Sequence, residues 1–147
     1  IVGARKPIQV AAPNVPHTPA SAILDFDSGR WSPVRKFGRA PATIKRWNNG
    51  RSEFGQRFVM PYYGNGSGLT GRSIDRPLGT VTTRDRWAVV DGDRMRMLTV
   101  AEYRLAMGFP ADYQLPTTRS LAIHLLGNAV CPSAARFMVS QVVSHLN

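Results

Sequence analysis

The chain has 147 residues, the size of one domain or of one small domain with an appendage, and 43% of them are apolar, enough to bury a core and to exclude a wholly disordered chain. Its single cysteine, Cys131, excludes an intrachain disulfide, and one Cys with three scattered His (His17, His124, His145) excludes an ordinary structural zinc site. Nineteen Lys and Arg against nine Asp and Glu leave a net charge of +10, and no apolar run reaches the ~18 residues that a membrane helix needs.

Residues 1–22 contain Pro7, Pro13, Pro16 and Pro19 and read as short extended pieces rather than a helix. Gly29 to Pro33 is a turn by composition. A short helix is predicted over 40–49, with Pro41 in its first turn and Asn48-Asn49-Gly50 ending it. Gln56 to Tyr63 reads as a strand, and residues 64–72 as a flexible glycine-rich loop. Thr80–Thr83 and Trp87–Val90 read as short strands, with Asp91-Gly92 as a turn signal. Thr99-x-x-Glu102 is a capping box that opens a short helix, ended by Gly108 and Pro110. A second short helix is predicted over 119–126, stopped by Gly127-Asn128. A longer one runs from Pro132 to about His145, with Ala134, Phe137, Met138 and Val142 at helical spacing. The expected class is α+β: an irregular, β-rich basic segment, residues 1–94, followed by a helical segment, residues 95–147.

The positive charge is uneven. Between Arg35 and Arg57 lie seven bases and one acid, interleaved with Phe37, Trp47 and Phe54. Arg suits bidentate contacts to phosphate and guanine, so such a stretch fits a nucleic-acid footprint. The alternative is a solvated basic face. An anionic membrane fits less well, since no basic amphipathic helix is evident. Gly66-Ser67-Gly68-Leu69-Thr70-Gly71 matches the dinucleotide-binding G-x-G-x-x-G, but no helical period follows it, so a loop is the better reading. Cys131 has no base close in sequence and reads as packing rather than as a nucleophile; His124, between Ile123 and Leu125, reads as a core or surface residue.

Three blocks are more specific. They are Arg76-Pro77-Leu78-Gly79-Thr80-Val81-Thr82-Thr83-Arg84-Asp85-Arg86, then Leu98-Thr99-x-x-Glu102 running on to Gly108-Phe109-Pro110, then Gly127-Asn128-Ala129-Val130-Cys131-Pro132. In this order they resemble the C-terminal part of DNA cytosine-5 methyltransferases, in which a Thr-Leu or Thr-Val pair lies in the target-recognition region. The resemblance covers residues 76–147; residues 1–75 match only in character. Leu105-Ala106-Met107 stands where the family usually has Arg-Leu-Gln, Leu125 where it has Gln, and Cys131 where it has a first Pro. The family's Pro-Cys nucleophile, its Phe-x-Gly-x-Gly loop and its Glu-Asn-Val segment are absent from the sequence.

The resemblance implies a target-recognition domain plus the helices that return to a Rossmann-like catalytic domain. It implies double-stranded DNA and an N-terminal catalytic half as partners, and no catalytic or metal-binding residue in this chain. Arg35, Arg39, Arg46, Arg51, Thr80, Val81, Thr82, Thr83, Arg84 and Arg86 are then expected to meet DNA. Gly127, Asn128, Ala129 and Val130 would close one side of the S-adenosylmethionine pocket. The chain begins with Ile1 and has no signal peptide, which reads as a fragment or processed piece of a soluble, cytoplasmic protein of bacterial or phage type; a split subunit and a stand-alone DNA-binding module are the alternatives. A chain cut from its catalytic half should leave apolar surface uncovered on the last helix and on Leu98–Phe109.

Overall fold

The computed structural model describes residues 10, 12, 14–62 and 70–144. Most of the glycine-rich loop, Tyr63 and His145 lie outside the described residues. After one 3₁₀ turn at Ala20–Ala22 the elements are β1 (Ser32–Pro33), α1 (Pro41–Phe54), β2 (Arg57–Pro61), β3 (Arg72–Ser73), β4 (Trp87–Asp91), β5 (Arg94–Met97), α2 (Val100–Ala106), α3 (Arg119–Asn128) and α4 (Pro132–Ser144). The strands form one antiparallel sheet in the order β1-β5-β4-β2-β3. The fold is α+β.

The sheet is covered on both faces, because side chains alternate across a strand. Phe58, Met60, Ala88, Val90 and Met95 face α1 and pack on its Trp47, Ile44 and Phe54. Val59, Trp87 and Val89 face the other way and pack on Tyr103 of α2 and on Ile123 and Leu126 of α3. Trp47 is also tied by its ring N–H to the carbonyl of Gly92, 3.0 Å away, at the β4–β5 hairpin.

Helix α1 is longer than the sequence indicates. Asn48-Asn49-Gly50 does not end it; it runs on to Phe54, and Gly55 closes it by donating to the Arg51 carbonyl at 3.0 Å. Gly50 is buried where the helix crosses β2: a Cβ there would lie 2.3 Å from the Phe58 ring. The glycine permits a close approach rather than a stop.

β1, β3 and β5 are additional to the expected strands, and the strand expected over 56–63 is β2, Arg57–Pro61. Thr80–Thr83 is not a strand. The Thr82 hydroxyl donates to the Arg84 carbonyl at 3.0 Å and accepts from the Arg84 N–H at 3.4 Å. Such local bonding competes with a ladder.

Helix α2 has the expected capping box, with both reciprocal bonds between Thr99 and Glu102. It ends in a Schellman motif: Gly108, at φ 74°, donates to the Leu105 carbonyl at 2.9 Å, and Phe109 donates to that of Arg104 at 3.1 Å. Helix α3 includes Gly127 and Asn128 as its last turn. No described residue of α4 is buried, and Val139 and Val143 stand 58% and 50% exposed. Leu98 and Tyr103, expected on an uncovered side, are fully buried in the second core.

Candidate functional site

The segment between β3 and β4 carries Thr80 to Arg86, and three residues outside it hold it in place. The Tyr103 hydroxyl, buried under the sheet, accepts the N–H groups of Arg86 and Trp87 at 3.2 and 3.0 Å and donates to the Asp85 carboxylate at 2.8 Å. Burial first, then the Asp85 charge and hydrogen bond, push the Tyr103 pKa well above its ordinary 10.0, so the phenol stays a donor. Asp85 also pairs with Arg119 at the start of α3, whose Nε lies 3.1 Å away, and Arg119 reaches the Leu98 carbonyl. At the other end of the segment, the Trp87 ring N–H donates to the Thr80 carbonyl at 3.0 Å. Asp85 and Tyr103 lie within the motif blocks and Arg119 outside them, but sequence reasoning missed all three as positioning residues.

Gly127 joins this segment to the last turn of α3. A Cβ on Gly127 would lie 2.3 Å from the carbonyl carbon of Thr82, 2.4 Å from its oxygen and 2.4 Å from the Thr83 nitrogen. Only a helix face without a side chain reaches the backbone that closely. A cleft of about 530 Å³ lies beside it, lined by Gly79, Thr80 and Val81, by Gly127, Ala129 and Cys131, and by Met107 and Gly108. The structure therefore brings Thr80 and Val81 together with Gly127 and Ala129. Asn128 instead points along α3 and bonds His124 (3.1 Å), and Val130 is 68% exposed outside the cleft. Cys131 is half-buried, with its Sγ 3.4 Å from the Ser133 hydroxyl.

The chemistry of the cleft is that of packing rather than of charge pairing. Its lining is small, mostly apolar residues with two threonines and a serine, and it contains no carboxylate to meet a sulfonium or a ribose. The Ala129 N–H is engaged with the Leu126 carbonyl at 3.2 Å. Packing against one side of such a group is therefore what these residues can supply. Among the described residues no His, Cys, Asp and Glu cluster fits a metal ion.

The other bases expected to meet DNA lie elsewhere. Arg35 and Arg51 place their guanidinium groups 5.1 and 5.3 Å from the Trp47 ring, and Arg51 also pairs with Asp93. Arg39 holds backbone: its Nε donates to Val34 and its Nη2 to Pro33. Arg46 is 8% exposed, over the Tyr62 ring. Arg35, Arg39 and Arg51 flank the hairpin end of the sheet, whereas Thr80–Arg86 meets the sheet where β4 begins, and Arg46 lies over Tyr62, whose N–H donates to the Arg86 carbonyl there. The five residues of β4 separate the two groups by about 13 Å at ~3.3 Å per residue. Arg84 is exposed, and Arg86 donates to the Tyr62 carbonyl at 2.9 Å.

One further network ties the pieces together. Arg96 and Glu102, both 2% exposed at the side chain, form a two-bond pair at 2.7 and 2.8 Å. Glu102 also accepts the N–H groups of Asp25 (2.9 Å) and Thr99 (2.6 Å). Burial would raise its pKa, but the Arg96 hydrogen bonds and the two N–H groups outweigh it and hold the carboxyl below its ordinary value. The capping box in the sequence announces only one of these roles.

The structure thus combines an antiparallel sheet, a pinned loop and a helix end backed onto that loop, with one cleft between them. The family model for C-5 cytosine-specific DNA methylase matches residues 28–144, and the chain belongs to that family. Members transfer a methyl group from S-adenosylmethionine to cytosine C5 in DNA. No curated protein matches the chain. Among the described residues no helix is long and apolar enough to cross a membrane.

Proposed function

We propose that this chain is the DNA-recognising part of a cytosine-5 DNA methyltransferase, residues 1–94, joined to the segment 95–147 that completes the catalytic domain. A separate N-terminal half supplies the Pro-Cys nucleophile and most of the cofactor pocket. The observation that carries this reading is the contact of Gly127 with Thr82 and Thr83, beside a cleft that Thr80 and Val81 share with Gly127 and Ala129.

Methylation at C5 requires the cytosine to leave the stack. S-adenosylmethionine, when bound, supplies the methyl group. Gly127 and Ala129 would pack against one side of it, while Asn128 and Val130 of the same block stand outside the cleft. Thr80 and Val81 approach the strand the base has left; β-branched side chains have few rotamers and hold a fixed shape there. Thr82, Thr83, Arg84 and Arg86 carry donors for phosphates and base edges, and the Asp85–Tyr103–Arg119 network keeps their backbone from moving. Of the remaining bases, Arg35 and Arg51 reach for phosphates, while Arg39 and Arg46 stiffen the frame that presents them.

The isolated chain should transfer no labelled methyl group to DNA, and transfer should appear when the catalytic half is added. In that reconstituted enzyme, Thr80→Ala with Val81→Ala should lower cognate methylation by about 5- to 150-fold, the equivalent of one good specific contact at ~1–3 kcal/mol. A lower melting temperature with an unchanged ratio of cognate to non-cognate activity would assign the pair to the core instead.

A further inference from the structure

We propose that Phe37 is a wedge that enters the base stack of duplex DNA while the cations beside it hold phosphates. The inference rests on the DNA-recognition reading and adds to it an insertion residue at the end of the sheet remote from the cleft.

Phe37 is fully exposed, at 106%, where the next most exposed large hydrophobic among the described residues, Val15, is at 69%. An isolated exposed apolar residue is ordinary; its mounting here is not. Phe37 and Gly38 are the central pair of a turn closed by the Arg39 N–H on the Lys36 carbonyl at 3.2 Å. Gly38 has φ 77°, the left-handed value that a type II turn demands at its third position. The turn is bolted to the sheet by Arg39, which donates to the carbonyls of Val34 and Pro33 at 3.2 and 3.0 Å and to the Ser32 hydroxyl at 3.0 Å. Val34 in turn is fully buried and donates to the Asp93 carbonyl at 2.8 Å. An aromatic ring on a turn held this way is already ordered before it meets a partner, so little conformational entropy opposes insertion.

The surroundings select the partner. No carboxylate occurs in the sequence between Asp27 and Glu53. Arg35, beside the turn, is exposed and Lys36 forms part of it; the nearby Asp93 is paired with Arg51. Cores of protein–protein interfaces are depleted in Lys and in charge generally. An apolar side chain flanked by cations is instead the arrangement by which proteins kink and partly unstack a duplex.

The test is the linking number of closed circular plasmid relaxed by a topoisomerase in the presence of the chain. Wild type should shift the topoisomer distribution, because insertion untwists the duplex. Phe37→Ala should abolish the shift, lower affinity by no more than about tenfold because the phosphate contacts remain, and leave the melting temperature unchanged, since the ring buries nothing. Phe37→Leu should keep part of the shift. Wild type that binds DNA without a shift, or Phe37→Ala that shifts the plasmid equally, overturns the wedge and leaves the DNA-recognition reading standing. A wild type that ignores plasmid and binds phosphatidylserine vesicles through Phe37 overturns both.

Discussion

Gly127→Ala is the substitution whose sign separates a local reading of this chain from a tertiary one. Gly127 lies in the last turn of α3. Considered as a helical residue alone, Gly is less favourable than Ala by about 0.5–1 kcal/mol, so the change should stabilise. The structure puts the new methyl 2.3 Å from the Thr82 carbonyl carbon and 2.4 Å from two further backbone atoms. Backbone cannot rotate away as a side-chain tip can, and overpacking of this kind costs about 1–3 kcal/mol. The clash falls at the upper end of that range, so the net effect is a loss of about 1–2 kcal/mol. For a chain of this length that lowers the melting temperature by about 3–8 °C. Thermal unfolding followed by circular dichroism measures it, and hydrogen exchange at the amides of Thr82 and Thr83 should show where the structure has given way. His124→Ala, at an exposed position on the same helix, should stay within about 0.5 kcal/mol of wild type. A Gly127→Ala chain that melts at or above the wild-type temperature would refute the close approach, and with it the coupling of the Thr80–Arg86 segment to the cleft.

Three further outcomes follow from the buried networks. Glu102→Gln leaves the Arg96 charge buried without its partner, which should cost about 3–5 kcal/mol, read from the midpoint of urea unfolding. Glu102 and Asp91 both have carboxyl pKa values held below their ordinary 4.5 and 3.8; for Asp91 the cause is hydrogen bonding from Arg94 and then Arg57. On acidification the unfolded chain therefore takes up protons first. The stability these groups contribute is complete above the ordinary values and is lost as pH falls through the lower folded ones, so melting temperature should drop below about pH 4.5. Glu102→Gln and Asp91→Asn should each flatten that drop. Tyr103→Phe strands the N–H groups of Arg86 and Trp87, at a cost of about 1–3 kcal/mol, and should speed hydrogen exchange at those two amides before the rest of β4.

What the sequence by itself determines here is local. Thr99 and Glu102 announce the start of α2, Gly108 and Pro110 its end, and Pro41 the start of α1, because caps depend on residues within a turn of one another. Trp87, Val89 and Val90 and the Asp-Gly after them mark β4 and its hairpin for the same reason. The order of the three motif blocks points to the family, and the family model that matches residues 28–144 agrees. Only the tertiary structure decides what the remaining signals mean. Gly50 and Gly127 both read as stops, yet each lies inside a helix at the spot where it presses on another element; a glycine has the same appearance in either role until its neighbour is known. Arg94-Met95-Arg96-Met97 alternates as a strand should, but Arg96 can lie inside the sheet's cover only because Glu102 and the Asp25 backbone, 71 residues away, meet it there. The sequence likewise does not say how the two basic segments, Arg35–Arg57 and Arg84–Arg86, lie relative to one another. The sheet divides them, because β4 carries the chain from the Thr80–Arg86 segment at one end to the hairpin and Trp47 at the other.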